Sequence, residues 1–246
     1  MMDIYVFTLF PEMFKGVLEN SMLKIAREKS SLNIHLINFR EFSMMKHKNV
    51  DDSPYGGGAG MLLKPDPIYS AVESIYPGGG KIVLMTPQGK KYDQNMADIL
   101  AKEDRLAIIC GHYEGYDERI RMLADNEISI GDYILTGGEI PAMVIIDSVA
   151  RLIPGVLGEA ESSIHDSYTN GLLEYPQYTR PRNFRGMEVP EVLISGNHKQ
   201  IERWRRKESL RKTMLRRPEL LEKIDFNKED KVIIEEIKIE EKITND

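Results

Sequence analysis

The chain has 246 residues, 41% of them hydrophobic and 29% charged, which suits one large domain or two small ones. This composition excludes a collagen-like, coiled-coil or wholly disordered protein and provides enough apolar residues for a hydrophobic core. The net charge of −6 excludes a uniformly basic surface, although a local basic segment is still able to bind phosphates.

The N-terminus and the cysteine content indicate where the protein works. The first apolar run contains Asp3 and has no basic residues before it, so we do not expect a secretory signal. No apolar run approaches the roughly 18–20 residues of a membrane span. The single cysteine, Cys110, excludes an intrachain disulfide and a cysteine-based zinc site. We therefore predict a cytoplasmic protein that has no membrane partner.

Strand-like and helix-like segments alternate in the first half of the chain. Residues 4–9 are an apolar, β-rich run, and Pro11 follows at a position that favours the start of a helix. Apolar residues at helical spacing then predict a helix over 13–26. Further along, the pattern predicts strands over 32–39, 81–85 and 106–110 and a helix over 93–102. This β-α-β order is typical of an α/β domain with a mainly parallel sheet.

Two glycine-rich segments interrupt this alternation. Residues 46–61 form a long loop that contains Gly-Gly-Gly-Ala-Gly but lacks the Lys-Ser/Thr ending of a P-loop and the G-x-G-x-x-G spacing of a dinucleotide-binding loop. A flexible surface turn and a loop that grips a substrate both remain open, and polar neighbours such as Asp51 favour the second. Residues 127–141 place three glycines around a short apolar strand, where glycine permits close approach of the backbone to a ligand.

Candidate reactive side chains are few. Cys110 ends an apolar strand and is more simply explained as a small buried hydrophobe than as a nucleophile. His112 and Glu114 follow at the carboxyl end of that strand, where ligands gather in open α/β sheets. Arg151 ends a predicted apolar helix, whose C-terminus a cation stabilises, and Asp166 suits a helix N-cap. Residue chemistry alone makes neither Arg151 nor Asp166 catalytic.

The C-terminal third differs from the rest in composition and charge. Residues 159–170 are polar and suggest a linker. Residues 180–217 then carry 12 Lys and Arg against 4 Asp and Glu, whereas residues 218–246 carry 5 against 10. A helix is predicted with Asn197 or Gly196 near its start and Pro218 just past its end, and the acidic tail is predicted to form one more helix or strand. The basic segment is either a solvated helix face or a phosphate-binding surface.

Eight segments form a recognisable set when they are read in chain order. They are LFPEMF (9–14), VDDSPYGGGAGM (50–61), TPQGKKYDQ (86–94), CGHYEGYDER (110–119), SIGDYILTGGEIPAMVIIDSVARLIPGVLG (129–158), DSYTNGLLEYPQYTRP (166–181), VPEVLISGNHKQIERWR (189–205) and RRPELL (216–221). From residue 3 to about 221 the chain resembles bacterial tRNA (guanine-N1)-methyltransferases, the TrmD family of the SPOUT methyltransferases. Only the acidic tail after about residue 227 lies outside these motifs.

The resemblance implies a fold and a function. The implied fold is a mainly parallel α/β sheet with flanking helices and a deep trefoil knot, followed by a small, mainly helical C-terminal domain. The implied domains are a cofactor-binding domain over 1–160, a linker over 161–172 and a tRNA-binding domain over 173–246. Family members methylate N1 of the guanine immediately 3′ of the anticodon, tRNA nucleotide 37, using S-adenosylmethionine. They act as homodimers whose active sites are built from both subunits.

The resemblance also assigns roles to residues of this sequence. Asp166 matches the general base and Arg151 its catalytic partner. The cofactor-binding positions are Thr86, Pro87, Gly111, Glu114, Ile130, Gly131, Asp132, Tyr133, Ile134, Leu135, Gly137, Gly138 and Pro141. Gly60 matches a contact to the target guanosine, and Asp51 lies in the same loop. The candidate contacts to the anticodon stem-loop are Arg180, Arg182, Lys199, Arg203, Arg205 and Arg206. The family has been linked to Mg²⁺, but the sequence offers no clear metal-ligand cluster, so we predict no metal ligand.

Methylation at N1 explains why a carboxylate and a cation are needed together. Neutral guanine carries a proton on N1, which a carboxylate accepts as the methyl group arrives. A cation stabilises the negative charge that then develops on O6. Two other hypotheses stay open: a knotted methyltransferase acting on another nucleotide or a ribose 2′-hydroxyl, and a non-enzymatic RNA-binding protein with the same fold. The segment that begins at Asp166 argues against the first, and the full set of site residues argues against the second.

Overall fold

The computed structural model describes residues 1–29, 31–156 and 166–243. The chain forms two compact units, Met1–Ala160 and Glu161–Asp246. The predicted linker lies outside the described residues up to residue 165. Within the described ranges, no helix is both long and apolar enough to cross a membrane.

A five-stranded parallel sheet forms the centre of the first unit. The strands of this unit are β1 (Met2–Thr8), β2 (Leu32–Asn38), β3 (Asp51–Asp52), β4 (Leu62–Leu63), β5 (Lys81–Lys91), β6 (Arg105–Ile109) and β7 (Asn126–Ser129). The sheet order is β2-β1-β6-β5-β7, and every neighbouring pair is parallel. Strands β3 and β4 form a separate antiparallel pair. The prediction of an α/β domain with a mainly parallel sheet is therefore confirmed.

Helices cover both faces of this sheet. They are α1 (Lys15–Leu18), α2 (Ser21–Glu28), α3 (Pro65–Ile75), α4 (Gln94–Leu100) and α5 (Glu139–Ala150), with 3₁₀ turns at Pro11–Phe14, Phe39–Phe42 and Glu118–Leu123. Successive side chains of a strand point to opposite faces, so Ile4 and Val6 of β1 join one core cluster while Phe7 joins the other. Helices α2, α4 and α5 contribute to the first cluster, and α3 contributes to the second. Burial on both faces explains why the strands read as continuous apolar runs.

The single helix predicted over 13–26 is wrong, because the structure divides this segment. A 3₁₀ turn, α1 and α2 take its place. The side-chain amide of Asn20 donates to the carbonyl of Gly16 at 2.9 Å and so replaces the backbone N–H that would continue α1. Ser21, the first residue of α2, then adopts a φ of 53°, which changes the direction of the chain between α1 and α2.

The second unit is smaller and mostly helical. Its elements are β8 (Asn183–Phe184), β9 (Met187–Glu188), α6 (Glu191–Ile194), α7 (His198–Arg216), a 3₁₀ turn at Pro218–Lys223 and α8 (Lys228–Ile243). Of the two residues predicted near its start, Asn197 caps α7, since its side-chain oxygen accepts from the N–H of Gln200 at 3.2 Å. The acidic tail forms the helix α8. The fully buried core is small and consists of Leu172, Leu210, Ile233 and Ile237.

Acidic side chains of α8 neutralise part of the basic helix α7. Arg206 donates to both carboxylate oxygens of the buried Asp230, at 2.7 and 2.9 Å. This pairing lowers the pKa of the Asp230 carboxyl. Further pairs join Arg203 to Glu236, Lys207 to Glu236 and Glu240, and Arg211 to Glu240 and Glu241. The positive charge that the sequence concentrates in α7 is therefore distributed unevenly over its surface.

We expect Asp230→Asn to lower the free energy of unfolding by about 1.5–3 kcal/mol at neutral pH, the usual range for hydrogen bonds to a charged group. Because the pairing lowers the pKa of Asp230, its contribution is complete above about pH 4 and is lost as the pH falls through the lowered pKa. Urea unfolding followed by circular dichroism, at neutral and acidic pH, measures both effects.

Glu229→Gln is the matched control, because it removes a charge from the same helical turn without breaking the pair to Arg206. A loss of equal size in both variants would assign the effect to the charge at the helix N-terminus and not to the ion pair.

Candidate functional site

Three loops meet at the carboxyl edge of the central sheet. Residues 86–89 bulge out of β5, because both Met85 and Lys90 pair with Ile128 of β7. The other two loops follow β6 and β7. A bulge of this kind re-aims side chains beside a site. The segment 86–89, which the sequence analysis identified only as part of a motif, is therefore a bulge within the longer strand β5.

These loops enclose a cavity of about 500 Å³. It is lined by Leu62, Met85, Thr86, Pro87, Gln88, Gly111, His112, Tyr113, Glu114, Gly115, Tyr116, Glu118, Arg121, Ile128, Ser129, Ile130, Gly131, Tyr133, Ile134, Leu135, Thr136, Gly137, Gly138 and Pro141. All the residues predicted to bind the cofactor lie among them except Asp132. The Asp132 side chain is 89% exposed and pairs with Lys91 at 3.4 Å.

Close backbone packing brings the segment after β7 against the end of β6. The N–H of Gly138 donates to the carbonyl of Gly111 at 2.8 Å, and Gly137 forms a β-bridge with His112. A Cβ on Gly138 would lie 2.6 Å from the nitrogen of Gly111 and 2.8 Å from the Cα of Cys110. Only glycine fits at position 138, because the atoms it would meet belong to the backbone and are not free to move aside.

A buried carboxylate anchors this contact. Glu139 is 2% exposed and accepts a hydrogen bond from the Thr8 hydroxyl at 2.8 Å. It is the first residue of α5, where the helix dipole favours a negative charge. Burial, with the charge of Glu139 as a second cause, raises the pKa of the Cys110 thiol well above its usual range. Cys110 is therefore a protonated, buried side chain, in agreement with its interpretation as a small hydrophobe.

Tyr116 forms part of the cavity floor. Its hydroxyl lies 3.1 Å from the carbonyl oxygens of both Met85 and Ile109, so it links β5 to β6. Burial raises the pKa of this phenol well above its usual range, which keeps it a hydrogen-bond donor. A Cβ on Gly111 would lie 2.6 Å from the Tyr116 ring. The glycine at 111 is thus explained by the ring packed beneath it.

The glycine-rich loop reaches the cavity wall through Gly60. This residue has a φ of 81°, and a Cβ there would lie 2.2 Å from the Cγ of Glu114. The N–H of Glu114 also donates to the carbonyl of Met61 at 3.1 Å. Asp51 lies in β3, opposite Leu63 of β4. Gly60 is therefore beside the cavity, whereas Asp51 belongs to the base of its loop.

The two predicted catalytic residues lie in different units. Arg151 is exposed and follows the last residue of α5, as the sequence predicts for a helix C-terminus. Asp166 is half-buried, and its carbonyl accepts from the N–H of Thr169 at 3.3 Å. It begins a turn and not the helix that an N-cap would require.

The predicted phosphate contacts differ in their pairing. Arg182 pairs with Glu191, and Arg203 pairs with Glu236 at 2.6 Å. Within the described part of the chain, Arg180 and Arg205 are exposed and make no ion pair. Because a paired cation must give up its partner to bind a phosphate, Arg180 and Arg205 are the better placed of these four. Lys199 is also exposed and unpaired among the described residues, whereas Arg206 is bound to Asp230.

Sequence analysis did not indicate several residues of the cavity wall. Arg121 pairs with Glu118 at 2.9 Å and with Glu127, and its guanidinium also contacts Gln88. Arg121 lies in a 3₁₀ turn, two residues beyond the end of the CGHYEGYDER motif, so only the packed structure brings it to the loops. Among the described residues, no group of three or more His, Cys, Asp or Glu side chains is arranged to hold a metal ion.

The fold and the cavity together define the class of protein. A parallel sheet with a pocket at the carboxyl ends of its strands, walled by glycines and short apolar side chains, is typical of α/β enzymes that bind a nucleotide-like ligand.

Comparisons with known proteins identify the family. The family model for tRNA (guanine-1)-methyltransferase TrmD matches residues 2–223. A tRNA (guanine-N(1)-)-methyltransferase of Geobacillus kaustophilus is 61% identical over 96% of this chain and 98% of its own length. Proteins of the same name from Anoxybacillus flavithermus and Moorella thermoacetica are 58% and 56% identical, over 98% and 96% of this chain and 100% and 96% of their own lengths. The chain belongs to the TrmD family of tRNA (guanine-N1)-methyltransferases, which confirms the resemblance read from its motifs.

We expect Gly138→Ala to destabilise the protein by about 1–3 kcal/mol, the usual effect of forcing extra atoms into a packed site. The added methyl group would meet the backbone of Cys110 and Gly111 and open the contact between the segment after β7 and β6. Gly16→Ala is the control, because a Cβ there meets nothing within 4 Å. Thermal and urea unfolding compare the two variants, and equal stability would show that the close approach at position 138 is easily relaxed.

Proposed function

We propose that this chain transfers the methyl group of S-adenosylmethionine to N1 of the guanine immediately 3′ of the anticodon in tRNA. The observation that carries this proposal is the convergence of family membership with one glycine-walled cavity at the carboxyl edge of the sheet. The relatives carry the name of this activity. Twelve of the thirteen residues that the resemblance assigns to the cofactor line this cavity, which supports the proposal.

The cavity fits a nucleoside-containing cofactor in size and in chemistry. Its volume of about 500 Å³ lies within the usual range for small-molecule sites. Gly111, Gly137 and Gly138 line it without side chains, while Ile130, Tyr133, Ile134, Leu135 and Pro141 supply apolar walls. Thr86, Pro87, Glu114 and Gly131 complete the proposed set, and Asp132 joins it through its backbone only, since its side chain points to solvent. When bound, S-adenosylmethionine supplies an electrophilic methyl group.

Asp166 is the proposed general base. Its carboxylate accepts the N1 proton of guanine as the new bond to the methyl carbon forms, so that N1 becomes nucleophilic without a covalent enzyme intermediate. Such base catalysis typically contributes about 10²–10⁴-fold. The raised pKa and burial of Cys110 support this scheme, because a protonated, inaccessible thiol is a poor nucleophile.

Arg151 and Gly60 complete the proposed guanine site. A guanidinium near O6 stabilises the negative charge that builds up there as the N1 proton leaves. Gly60 packs against Glu114, and this contact holds the glycine-rich loop beside the cavity, where the flat base is proposed to lie. Both residues therefore act by holding the guanine in a reactive orientation, which contributes much of the acceleration in such reactions. The described residues show no metal-ligand cluster, so no step is assigned to Mg²⁺.

A knotted backbone is part of the proposal. The sheet places β5 between β6 and β7, yet the segment after β7 returns to the end of β6, where Gly138 bonds to Gly111. The chain must cross β5 to make this contact, and such a crossing supports the trefoil knot of the family. The second unit, with its exposed basic segment, is proposed to bind the anticodon stem-loop.

A homodimer with shared active sites is also proposed. Phe10, Met13, Ile140 and Val144 leave apolar side chains exposed, and the first three line a hollow of about 130 Å³. Exposed apolar surface of this kind is typical of an interface between subunits. Sedimentation at micromolar concentration tests the proposal, and a fully active monomer would contradict it.

A methyl-transfer assay tests the function directly. Labelled S-adenosylmethionine is supplied with two transcripts of one tRNA, with guanine or adenine 3′ of the anticodon, and the product nucleoside is identified by mass spectrometry. We expect N1-methylguanine from the first transcript alone. A methylated ribose, or product from neither transcript, would reject the proposed reaction.

We expect Asp166→Ala to reduce single-turnover methyl transfer by about 10²–10⁴-fold while cofactor affinity changes only a few-fold, because the residue is proposed to act on the base. Single-turnover kinetics and a calorimetric titration with S-adenosylmethionine separate the two quantities. Near-normal transfer would remove Asp166 as the base, and equal losses of transfer and of cofactor affinity would indicate a structural role.

We expect Arg205→Ala to reduce the slope of log binding constant against log salt concentration by about one, the effect of losing one phosphate contact. Arg203→Ala is the matched comparison, since Arg203 already pairs with Glu236 at 2.6 Å and should change the slope less. Filter binding of tRNA at several salt concentrations measures both slopes. A larger change for Arg203 would mean that α8 releases this side chain to the RNA.

A further inference from the structure

Aromatic side chains gather next to the unpaired cations of the second unit. The rings of Tyr178 and Trp204 lie 6.4 Å apart between centroids, at an angle of 53°. Tyr178 is 49% exposed, and its hydroxyl has no hydrogen-bond partner among the described residues. Trp204 is only half-buried, although its spacing from Ile201 in the sequence suggests a shared apolar face. Tyr178 therefore presents its ring to a ligand, with the half-buried Trp204 ring beside it.

A cation lies over a third ring, that of Tyr175, which precedes Tyr178 by three residues. The guanidinium of Arg205 sits 5.0 Å from the centroid of the Tyr175 ring, which is a favourable cation–π distance. Arg205 forms no ion pair with any described residue, and Arg180 follows Tyr178 by two positions and is likewise exposed and unpaired within the described part of the chain. By contrast, α8 neutralises Arg203, Arg206, Lys207 and Arg211.

We propose that Tyr175, Tyr178, Trp204 and Arg205 form a stacking platform that binds an unpaired nucleobase of the tRNA, in addition to the guanine that is methylated. The inference rests on the proposed function, since it assumes that tRNA is the substrate. Proteins read single-stranded RNA by stacking unstacked bases on aromatic rings and on guanidinium planes while nearby cations hold the phosphates. The platform offers both kinds of surface, rings in the pair Tyr178–Trp204 and a ring with a guanidinium in the pair Tyr175–Arg205.

Charge decides in favour of RNA over a protein partner. Arg205, which forms no ion pair with a described residue, lies over the half-buried Tyr175 ring, and Arg180 follows the exposed Tyr178 in the chain. Cations next to aromatic rings match an anionic, flat-faced ligand. The exposed hairpin β8–β9 repeats the pattern, since the guanidinium of Arg185 lies 5.2 Å from the centroid of the Phe184 ring. A double-stranded stem presents no free base face, so the ligand is a base of the loop or of a junction.

The first test compares Tyr178→Leu with Tyr178→Phe in the full-length protein. Phenylalanine keeps the ring and leucine removes it. Because Tyr178 is 49% exposed, we expect both variants to fold, and thermal unfolding checks this. We expect Tyr178→Leu to weaken tRNA binding by about fivefold or more, the lower end of what one stacked base contributes, and Tyr178→Phe to bind as the unchanged protein does. The salt dependence of binding should be the same in all three, because stacking involves no counterion release.

Trp204 provides a direct probe, because it is the only tryptophan in the chain. We expect its fluorescence to be quenched when the unchanged protein binds an anticodon stem-loop, and to change little on adding a fully paired duplex of equal length and charge. Replacing one loop nucleotide at a time by an abasic residue should abolish the quenching at a single position, which identifies the stacked base.

The outcomes separate this inference from the proposed function. If the unchanged protein methylates tRNA but Tyr178→Leu binds as tightly as Tyr178→Phe, the platform is rejected and the function stands. Equal losses in both variants, or binding without quenching of Trp204, also reject stacking. If the unchanged protein neither binds nor methylates tRNA, the proposed function fails, and the platform fails with it.

Discussion

The close approach of Gly138 to the end of β6 is the constraint on which the cavity depends. A hydrogen bond of 2.8 Å joins its N–H to the carbonyl of Gly111, and no side chain fits between them. This contact holds the loop after β7 against the loop after β6, while the bulge at 86–89 brings the third loop from β5. Three loops from three parallel strands thus share one pocket because two glycines let two backbones touch.

A buried carboxylate, that of Glu139, stabilises the same contact. Glu139 carries a carboxylate into the core at the start of α5, where the helix dipole and the Thr8 hydroxyl compensate its burial. The charge of Glu139 also raises the pKa of the Cys110 thiol, although burial is the main cause that keeps this thiol protonated. Buried polar groups such as Glu139 and Tyr116 therefore hold the loops in place. The residues proposed to act in the reaction lie outside this buried core.

The second unit uses charge differently. Helix α8 pairs with one part of the basic helix α7 and buries Ile233 and Ile237 against it, so these acidic residues help to hold a small core together. Arg205, which forms no ion pair with a described residue, lies over the half-buried ring of Tyr175. A segment that is uniformly basic in sequence is divided in this way into a structural part and a part available to an anionic ligand.

Periodicity and turn residues predicted the parallel α/β sheet and the start of α7 at Gly196 or Asn197, because these depend on local pattern, and the family resemblance named twelve of the residues that line the cavity. They failed where a single contact redirects the chain, as Asn20 does in ending α1. Only the tertiary structure decided that Arg121 reaches the cavity, that the Asp132 side chain turns away from it, and which arginines of α7 stay unpaired. Each of these depends on residues far apart in sequence, whose distances in space no local pattern encodes.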